Sequence, residues 1–338
     1  MKALKFIFFL IAIITISAIV YLFIPRSCDR LIYYPSKENR SFCKYFAKQK
    51  IPINQLDCYI LKNYADVKEG WIRTSGYVNK FDLFNFAQSD KIKKTRSMIV
   101  YAGDNIETLS SKIAKQADLD KDKLKEIYNK LAIFKDGAIF AGRYNIPYNV
   151  TEHSVISYML SKSEDMFDKF STNIHSKDFK NKLIIASIIQ KETQKKDEMP
   201  LVASVIYNRL KKNQKLQMDA TLNYGKNSNK IVTSALIKSD TSKYNTYKHK
   251  GLPPEPLCFV NKSALDAAYY PAQSDYLYFV KAKGGHKFSA KYKAHKKHVR
   301  KYKSKLYSKR VKKLLQNGVT INLPSPIFLP TIPTVKLK

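Results

Sequence analysis

The feature that most constrains this chain is an apolar run over residues 6–24, which contains no charged side chain. At 1.5 Å per residue, a helix of this length nearly matches a bilayer hydrocarbon core of about 30 Å. The run ends in the bulky residues Tyr21 to Ile24, whereas a signal-peptide cleavage site follows small residues. We therefore predict an uncleaved transmembrane helix over 6–24, preceded by a short cytoplasmic N-terminus over 1–5.

Charge bears on both orientation and partners. Lys2 and Lys5 favour a cytoplasmic N-terminus, although Arg26 and Arg30 on the other side reduce the asymmetry. The chain has 61 Lys and Arg against 27 Asp and Glu, a formal charge of +34. Such a balance attracts anionic polymers or membrane surfaces, and it does not oppose export, because long domains cross the membrane regardless of charge.

Length and patterning predict an α+β protein with several folded parts. A chain of 338 residues with 44% hydrophobic residues is too long for one core and too apolar for disorder. We divide the chain beyond the predicted span into a small α+β region over 25–96, a module over 97–148, a mainly helical domain with a small sheet over 149–313, and an extended tail over 314–338.

The module over 97–148 has a predicted β-α-α-β order. Met98 to Tyr101 has strand character, helical spacing follows from Ile106 and again around Leu124, and 139–147 has strand character. This order, with the segments VYAGDNIETLSSKIAK and FAGRYNIP, resembles a LysM module, a small carbohydrate-binding fold. An unrelated small α+β unit is the alternative.

The segment LIIASIIQKET, residues 183–193, contains the sharpest chemical signal. Isoleucines lie seven, four and three residues before Glu192, so a helix places the Glu192 carboxyl on its apolar face. Desolvation on such a face raises the pKa of a carboxyl, as the general acid of a glycosidase requires. From this helix alone, the alternative is a structural salt bridge, for instance with Arg209.

Four further motifs follow in order: EMPLVASVIYNRL, LQMDATLNYG, YNTYKHKGLPPEP and YLYFVKAKGGHKFS. Together the five motifs, within 183–289, resemble the endolytic murein transglycosylases of the MltG/YceG-like family, with weaker similarity over about 97–300. The resemblance implies a single-pass inner-membrane protein whose periplasmic LysM-like module and catalytic domain cut nascent peptidoglycan strands internally. It also assigns the catalytic glutamate of the family's KET motif to Glu192.

A single carboxyl suffices for the implied reaction. An ordinary glycosidase needs two carboxyl groups, because one protonates the leaving oxygen and the other handles water or the anomeric carbon. A lytic transglycosylase uses the 6-hydroxyl of N-acetylmuramic acid as an internal nucleophile, so one glutamate can donate a proton and later accept one. A hydrolytic muramidase and a murein-binding protein without activity remain alternatives.

The resemblance also suggests substrate-binding residues. These are Asn208, Gln217, Asp219, Tyr244, Asn245, Thr246, Tyr247 and His286. Gln217 and Asp219 match polar positions of the family's LQxDPT motif, in which Ala220 replaces the proline. Rings, amides and hydroxyls over 244–247 are typical of sugar-stacking subsites, with a packed structural loop as the alternative. His286 matches a family histidine that is either a substrate donor or a core residue.

We expect no metal or other cofactor, because the histidines and cysteines have no zinc-site spacing. Cys28, Cys43 and Cys58 form either one disulfide or free thiols, and their pairing cannot be read from sequence. The basic stretch 281–313 holds fifteen Lys and Arg and no acid. It would suit nucleic acid in a cytosolic protein, but the anchor and motifs favour lipid headgroups, acidic stem peptides or a solvated helix face. Peptidoglycan synthases are candidate partners.

Overall fold

The computed structural model describes residues 2–36, 42–49, 51, 53–225, 228, 231–302 and 304. Helices and short strands are mixed along this part of the chain, in agreement with the predicted α+β class. Residues up to Gln273 form one compact unit, and residues from Ser274 form a second. The tail predicted over 314–338 lies outside the described residues.

The first helix, α1 (Lys2–Phe23), contains the predicted apolar run. Its segment Leu4–Phe23, 20 residues long, could cross a membrane by length and composition, and none of it is buried. A signal sequence would satisfy the same criteria. The helix agrees with a single-pass membrane protein.

The region after α1 is a small α+β layer. Its elements are β1 (Arg26–Ser27), β2 (Leu31–Tyr34), α2 (Phe42–Lys48), α3 (Gln55–Tyr64), β3 (Gly70–Arg73), β4 (Tyr77–Val78) and α4 (Lys80–Gln88). Strand β1 pairs with β4 and β2 with β3, both antiparallel. Asn54 and Asn79 begin α3 and α4 through capping boxes. Ile32, Phe46 and Leu83 belong to the buried core between these elements.

One disulfide joins two helices of this region. Cys43 of α2 and Cys58 of α3 are bonded, with their Cα atoms 5.7 Å apart. Cys28 and the distant Cys258 are free thiols. The pairing that the sequence left open therefore joins the second and third of the three clustered cysteines.

The β-α-α-β order is found in the next part of the chain. It consists of β5 (Thr95–Val100), α5 (Ile106–Ala117), α6 (Lys121–Leu131) and β6 (Gly142–Pro147). Strands β5 and β6 pair antiparallel, with Met98 opposite Tyr144. Strand β6 begins later than the predicted 139–147, because residues 139–141 run outside the β5 ladder and Ala141 bonds elsewhere. The likeness to a LysM module remains a prediction.

A segment from far downstream completes this module. The N–H of Gly103 donates to the carbonyl of Phe259 at 2.9 Å, and the N–H of Phe259 donates to Asp104 at 2.7 Å. The N–H of Ala141 donates to the carbonyl of Val260 at 2.8 Å. The module and the helices that follow it are therefore joined by backbone hydrogen bonds within one unit.

The remainder of the first unit is helical. Its helices are α7 (Glu152–Phe167), α8 (Lys177–Glu192), α9 (Met199–Lys211), α10 (Asp219–Leu222), α11 (Ser234–Ser239) and α12 (Lys262–Tyr269). Helix α8 packs against α9, α10 and α12. Its residues 183–190 are all buried, so α8 is the central helix and its C-terminal end leads into the site described below.

The second unit contains a hairpin of β7 (Tyr278–Ala282) and β8 (Gly285–Ser289). The two strands pair antiparallel, and Gly284 in the turn has a φ of 83°, which suits glycine. Residues 292–302 are helical and include part of the basic stretch. The later part of 281–313 is outside the described residues.

Candidate active site

Glu192 is the last residue of α8. Ile185, Ile188 and Ile189 of the same helix face are at most 2% exposed, whereas Glu192 is only partly buried. Burial, with a smaller contribution from the nearby charge of Asp219, raises the pKa of the Glu192 carboxyl to about 7. The helical spacing thus places this carboxyl where the sequence predicted, with a proton held near neutral pH.

The hydrogen-bond partner of Glu192 is a backbone group. The N–H of Ala220, in the first turn of α10, donates to Glu192 Oε1 at 3.4 Å and opposes the rise in pKa. Among the described residues, no Lys or Arg lies within 4.0 Å of the Glu192 carboxylate. Arg209 instead donates to the carbonyl of Leu216 at 2.5 Å. The salt-bridge alternative for Glu192 is therefore wrong.

Glu192 lines a pocket of about 620 Å³ that has two walls. The first wall is the start of α5, in the β-α-α-β module. The second wall is α10 and the chain after it. The lining residues are Gly103, Asn105, Ile106, Glu107, Thr108, Lys135, Asp136, Lys191, Glu192, Asp219, Ala220, Asn223, Tyr224, Gly225 and Ser228. Both the module and the helical part therefore contribute to the pocket.

Two lining residues, Asp136 and Tyr224, were not predicted from the sequence. Asp136 is 6% exposed, and its carboxylate accepts hydrogen bonds from the Ile106 N–H at 3.1 Å and the Tyr224 hydroxyl at 2.7 Å. Burial raises the pKa of Asp136. The Tyr224 ring lies 4.3 Å from the Tyr244 ring at an angle of 30°. A buried carboxylate therefore fixes the Tyr224 ring at this pocket, and the Tyr244 ring packs against it.

A local signal for Asp136 does exist in the sequence. Gly137 has a φ of 101°, and a Cβ added there would lie 2.7 Å from the Cβ of Pro256. Only glycine fits this position without a shift of the backbone or of Pro256. The Asp136-Gly137 pair is thus a constrained turn, which a search for turn dipeptides would find.

Asp219, the first residue of α10, and Gln217, in the loop before it, flank the site. Asp219 lines the pocket and accepts a hydrogen bond from the Tyr247 hydroxyl. Gln217 is exposed, has a φ of 51°, and donates its N–H to the carbonyl of Thr246 at 3.2 Å. The structure therefore brings together Asp219, Tyr247 and Glu192, while Gln217 has a backbone role in the loop.

Asn245 and Thr246 are buried and hold this loop together. The Asn245 amide donates to two backbone carbonyls at 2.8 and 2.9 Å. The Thr246 hydroxyl bonds the Thr221 hydroxyl at 2.8 Å and accepts from the N–H of Met218 at 3.2 Å. For these two residues the packed-loop alternative describes the observed contacts, and the partly exposed Tyr244 and Tyr247 are the members of 244–247 that reach toward the site.

The remaining predicted residues lie elsewhere. Asn208 is a half-buried residue of α9 and is absent from the lining of the described pocket. His286 is in β8 of the second unit, opposite Lys281, with its ring 5.3 Å from that of Phe279 in an edge-to-face contact. Within its own unit, His286 belongs to an aromatic cluster on the hairpin.

Known proteins resemble this chain over most of its length. A model of the YceG-like family matches residues 37–301. An endolytic murein transglycosylase of Bacillus subtilis strain 168 is 31% identical over 229 residues, which is 64% of this chain and 61% of that protein. One of Streptococcus pneumoniae strain D39 is 34% identical over 152 residues, 43% of this chain and 28% of that protein. The chain thus spans less than two thirds of these relatives.

A solved structure has the same fold. The crystal structure of a yceG-like protein from Listeria monocytogenes superposes with a TM-score of 0.53 and covers 79% of this chain and 97% of that one. The two sequences are 24% identical, so this likeness concerns the fold.

Proposed function

This chain belongs to the YceG-like family, and from that premise we propose that it is an endolytic lytic transglycosylase of peptidoglycan. It cleaves the β-1,4 bond between N-acetylmuramic acid and N-acetylglucosamine without water and leaves 1,6-anhydro-N-acetylmuramic acid ends. The observation that carries the proposal is the Glu192 carboxyl, which has a pKa of about 7 in a pocket of about 620 Å³. The names of the relatives support the substrate class.

In the proposed reaction Glu192 acts first as an acid. A pKa of about 7 leaves about half of the molecules protonated at pH 7. Protonated Glu192 donates its proton to the glycosidic oxygen as the bond from that oxygen to C1 of N-acetylmuramic acid breaks. The 6-hydroxyl of the same sugar then bonds to C1, and its proton passes to the Glu192 carboxylate. No water is consumed, and Glu192 is protonated again at the end of the reaction.

The rest of the pocket positions the strand. The Tyr224 and Tyr244 rings offer apolar faces on which sugar rings can stack, and Asp136 fixes the Tyr224 hydroxyl. The start of α5 lines the same pocket, which supports a glycan-binding role for the LysM-like module over 97–148. Asp219 and Tyr247 bind sugar hydroxyls beside Glu192 in this proposal.

A hydrolytic muramidase is the second candidate, because Asp219 provides another carboxyl in the pocket. A glycosidase that uses water needs such a second carboxyl. Mass spectrometry of products from purified murein separates the two functions. The transglycosylase releases chains lighter by one water than those of the hydrolase. Reducing-end products would refute the proposed mechanism, and the absence of any product would favour a binding protein.

The proposed setting is the bacterial inner membrane. Helix α1 anchors the chain with its N-terminus in the cytoplasm, and the catalytic domain over 149–313 lies in the periplasm beside nascent strands. There the enzyme would end strand elongation next to peptidoglycan synthases. The described α1 supports the anchor by its length and composition.

A further inference from the structure

The last turn of α1 is fixed to the α+β region that follows it. The Tyr21 hydroxyl donates to Asp57 Oδ1 at 2.8 Å, and Lys80 Nζ lies 2.7 Å from Asp57 Oδ2. The same Lys80 ammonium lies 3.2 Å from the centre of the Tyr21 ring. The Lys80 and Asp57 side chains are each only 5% exposed, so this ion pair is buried. Buried pairs of this kind are costly to break, because each partner would leave the other charge unpaired.

A ring contact continues the attachment at the end of the helix. Phe23, the last residue of α1, stacks on Phe81 of α4 with ring centres 5.4 Å apart. A few residues later the chain enters β1, in which Ser27 pairs with Tyr77 of β4. The end of α1 is therefore held by α4 on one side and by the β1–β4 pair on the other, with no flexible linker between them.

Three apolar side chains are exposed around this end. Leu56 is 59% exposed, Phe81 47% and Tyr77 65%. Leu56 follows the start of α3, where Asn54 bonds the Tyr21 hydroxyl. We call Leu56, Tyr77 and Phe81 the collar. Apolar surface clustered beside an apolar helix is unusual for a face that meets only water.

The length of α1 fixes the depth of the collar. The 20 residues of Leu4–Phe23 extend about 30 Å, which is the thickness of the hydrocarbon core. Phe23 then lies at the boundary of the hydrocarbon, and Tyr21 lies about 3 Å deeper. The headgroup layer adds only about 5–7 Å beyond this boundary. Phe81 contacts Phe23, and Leu56 precedes Asp57, which contacts Tyr21. These side chains are therefore at headgroup level, where aromatic residues are favoured.

We propose that the collar is seated in the headgroup layer of the bilayer that α1 spans, so its partner is the boundary between phospholipid headgroups and acyl chains. The exposed Arg26 beside it would meet lipid phosphates. Helix α1 and the α+β region then form one body, and the membrane covers the collar. This inference rests on the proposed anchoring by α1, and it is independent of the chemistry at Glu192.

Tryptophan fluorescence in vesicles tests the seating. The chain has one tryptophan, Trp71, which is 3% exposed and supplies the same background in every variant. Phe81→Trp and Leu56→Trp would each be made in the full chain and reconstituted into phosphatidylglycerol-containing vesicles. Tyr270→Trp is the matched control, because Tyr270 is 74% exposed at the end of α12. Lipids brominated near the headgroup or near the acyl-chain end would serve as quenchers.

The expected result is that the added emission of both collar variants is mostly lost with shallow bromines and largely kept with deep ones. The emission of the control should be unchanged by either lipid. Protein that co-floats with vesicles but keeps unquenched emission at positions 56 and 81 would overturn the collar alone, since water or another protein would then cover it. Protein that does not float with the vesicles would refute both the anchoring by α1 and the seating of the collar. That result would leave the proposed murein cleavage by Glu192 unaffected.

Discussion

Replacing Glu192 with glutamine should greatly reduce murein cleavage and, at alkaline pH, make the protein more stable. In the folded protein burial raises the pKa of Glu192 from 4.5 to about 7. Each pKa unit corresponds to about 1.4 kcal/mol, so ionising this carboxyl costs the folded state about 3 kcal/mol. Glutamine keeps the shape, and it can donate a hydrogen bond, but it does not ionise.

The pH range of this effect follows from the two pKa values. Below pH 4.5 the folded and unfolded chains both hold the proton, and Glu192 adds no pH dependence. Between pH 4.5 and 7 only the folded chain holds it, so the free energy of unfolding falls as pH rises. Above pH 7 the loss is complete, and Glu192→Gln should exceed the parent by at most about 3 kcal/mol. Murein cleavage should fall by about 10²–10⁴-fold, as for other general acids.

The assay is equilibrium unfolding in urea, followed by circular dichroism between pH 4 and 9 for parent and variant. Glu126→Gln is the control, because Glu126 is an exposed carboxyl on α6. It should leave both stability and cleavage unchanged. Equal stability of Glu192→Gln and parent at pH 8.5 would refute the burial argument. Cleavage near the parent rate would refute the assignment of Glu192 as the acid.

Three further outcomes test the surroundings of Glu192 and the anchor. Ala220→Pro removes the N–H that donates to Glu192 Oε1, so the pKa of Glu192 should rise. The alkaline limb of the pH–rate profile should then move to higher pH. The control Ala220→Gly keeps the N–H and should leave the profile unchanged. Tyr224→Phe keeps the ring but leaves the buried Asp136 oxygen unpaired, so KM for murein should rise by up to about tenfold with a smaller change in kcat; a drop in kcat alone would contradict a positioning role. An enzymatic reporter fused to the C-terminus should be active only outside the cytoplasm, and cytoplasmic activity would reverse the orientation.

Helical periodicity explains why the position of Glu192 could be predicted. The face on which a residue lies depends only on its neighbours within two turns, and the isoleucines before Glu192 define that face locally. The same holds for the β-α-α-β order, whose elements each have their own pattern. Local patterns cannot pair distant residues, and the Tyr224 and Asp136 contact joins positions 88 residues apart.

Composition alone does not separate polar residues that are exposed at a pocket from those that close a loop. The residues 244–247 have the rings, amides and hydroxyls typical of sugar subsites, and the same groups can close a loop on itself. Burial separates the two uses, because Asn245 and Thr246 are at most 1% exposed and bond within the protein. The pairing of Cys43 with Cys58 could not be read from the sequence either, because the packing of α2 on α3 brings these thiols together.

The backbone bonds between the β-α-α-β module and Phe259 determine when that module can be finished. Synthesis delivers the chain from its N-terminus, so β5, α5, α6 and β6 all emerge before Phe259 exists. Until it arrives, the carbonyl of Asp104 lacks its donor and the ring of Tyr128 lacks its neighbour. Contacts so remote in sequence form late and slow the folding of the whole unit. A chain cut short before Phe259 would therefore expose an incomplete module to proteases.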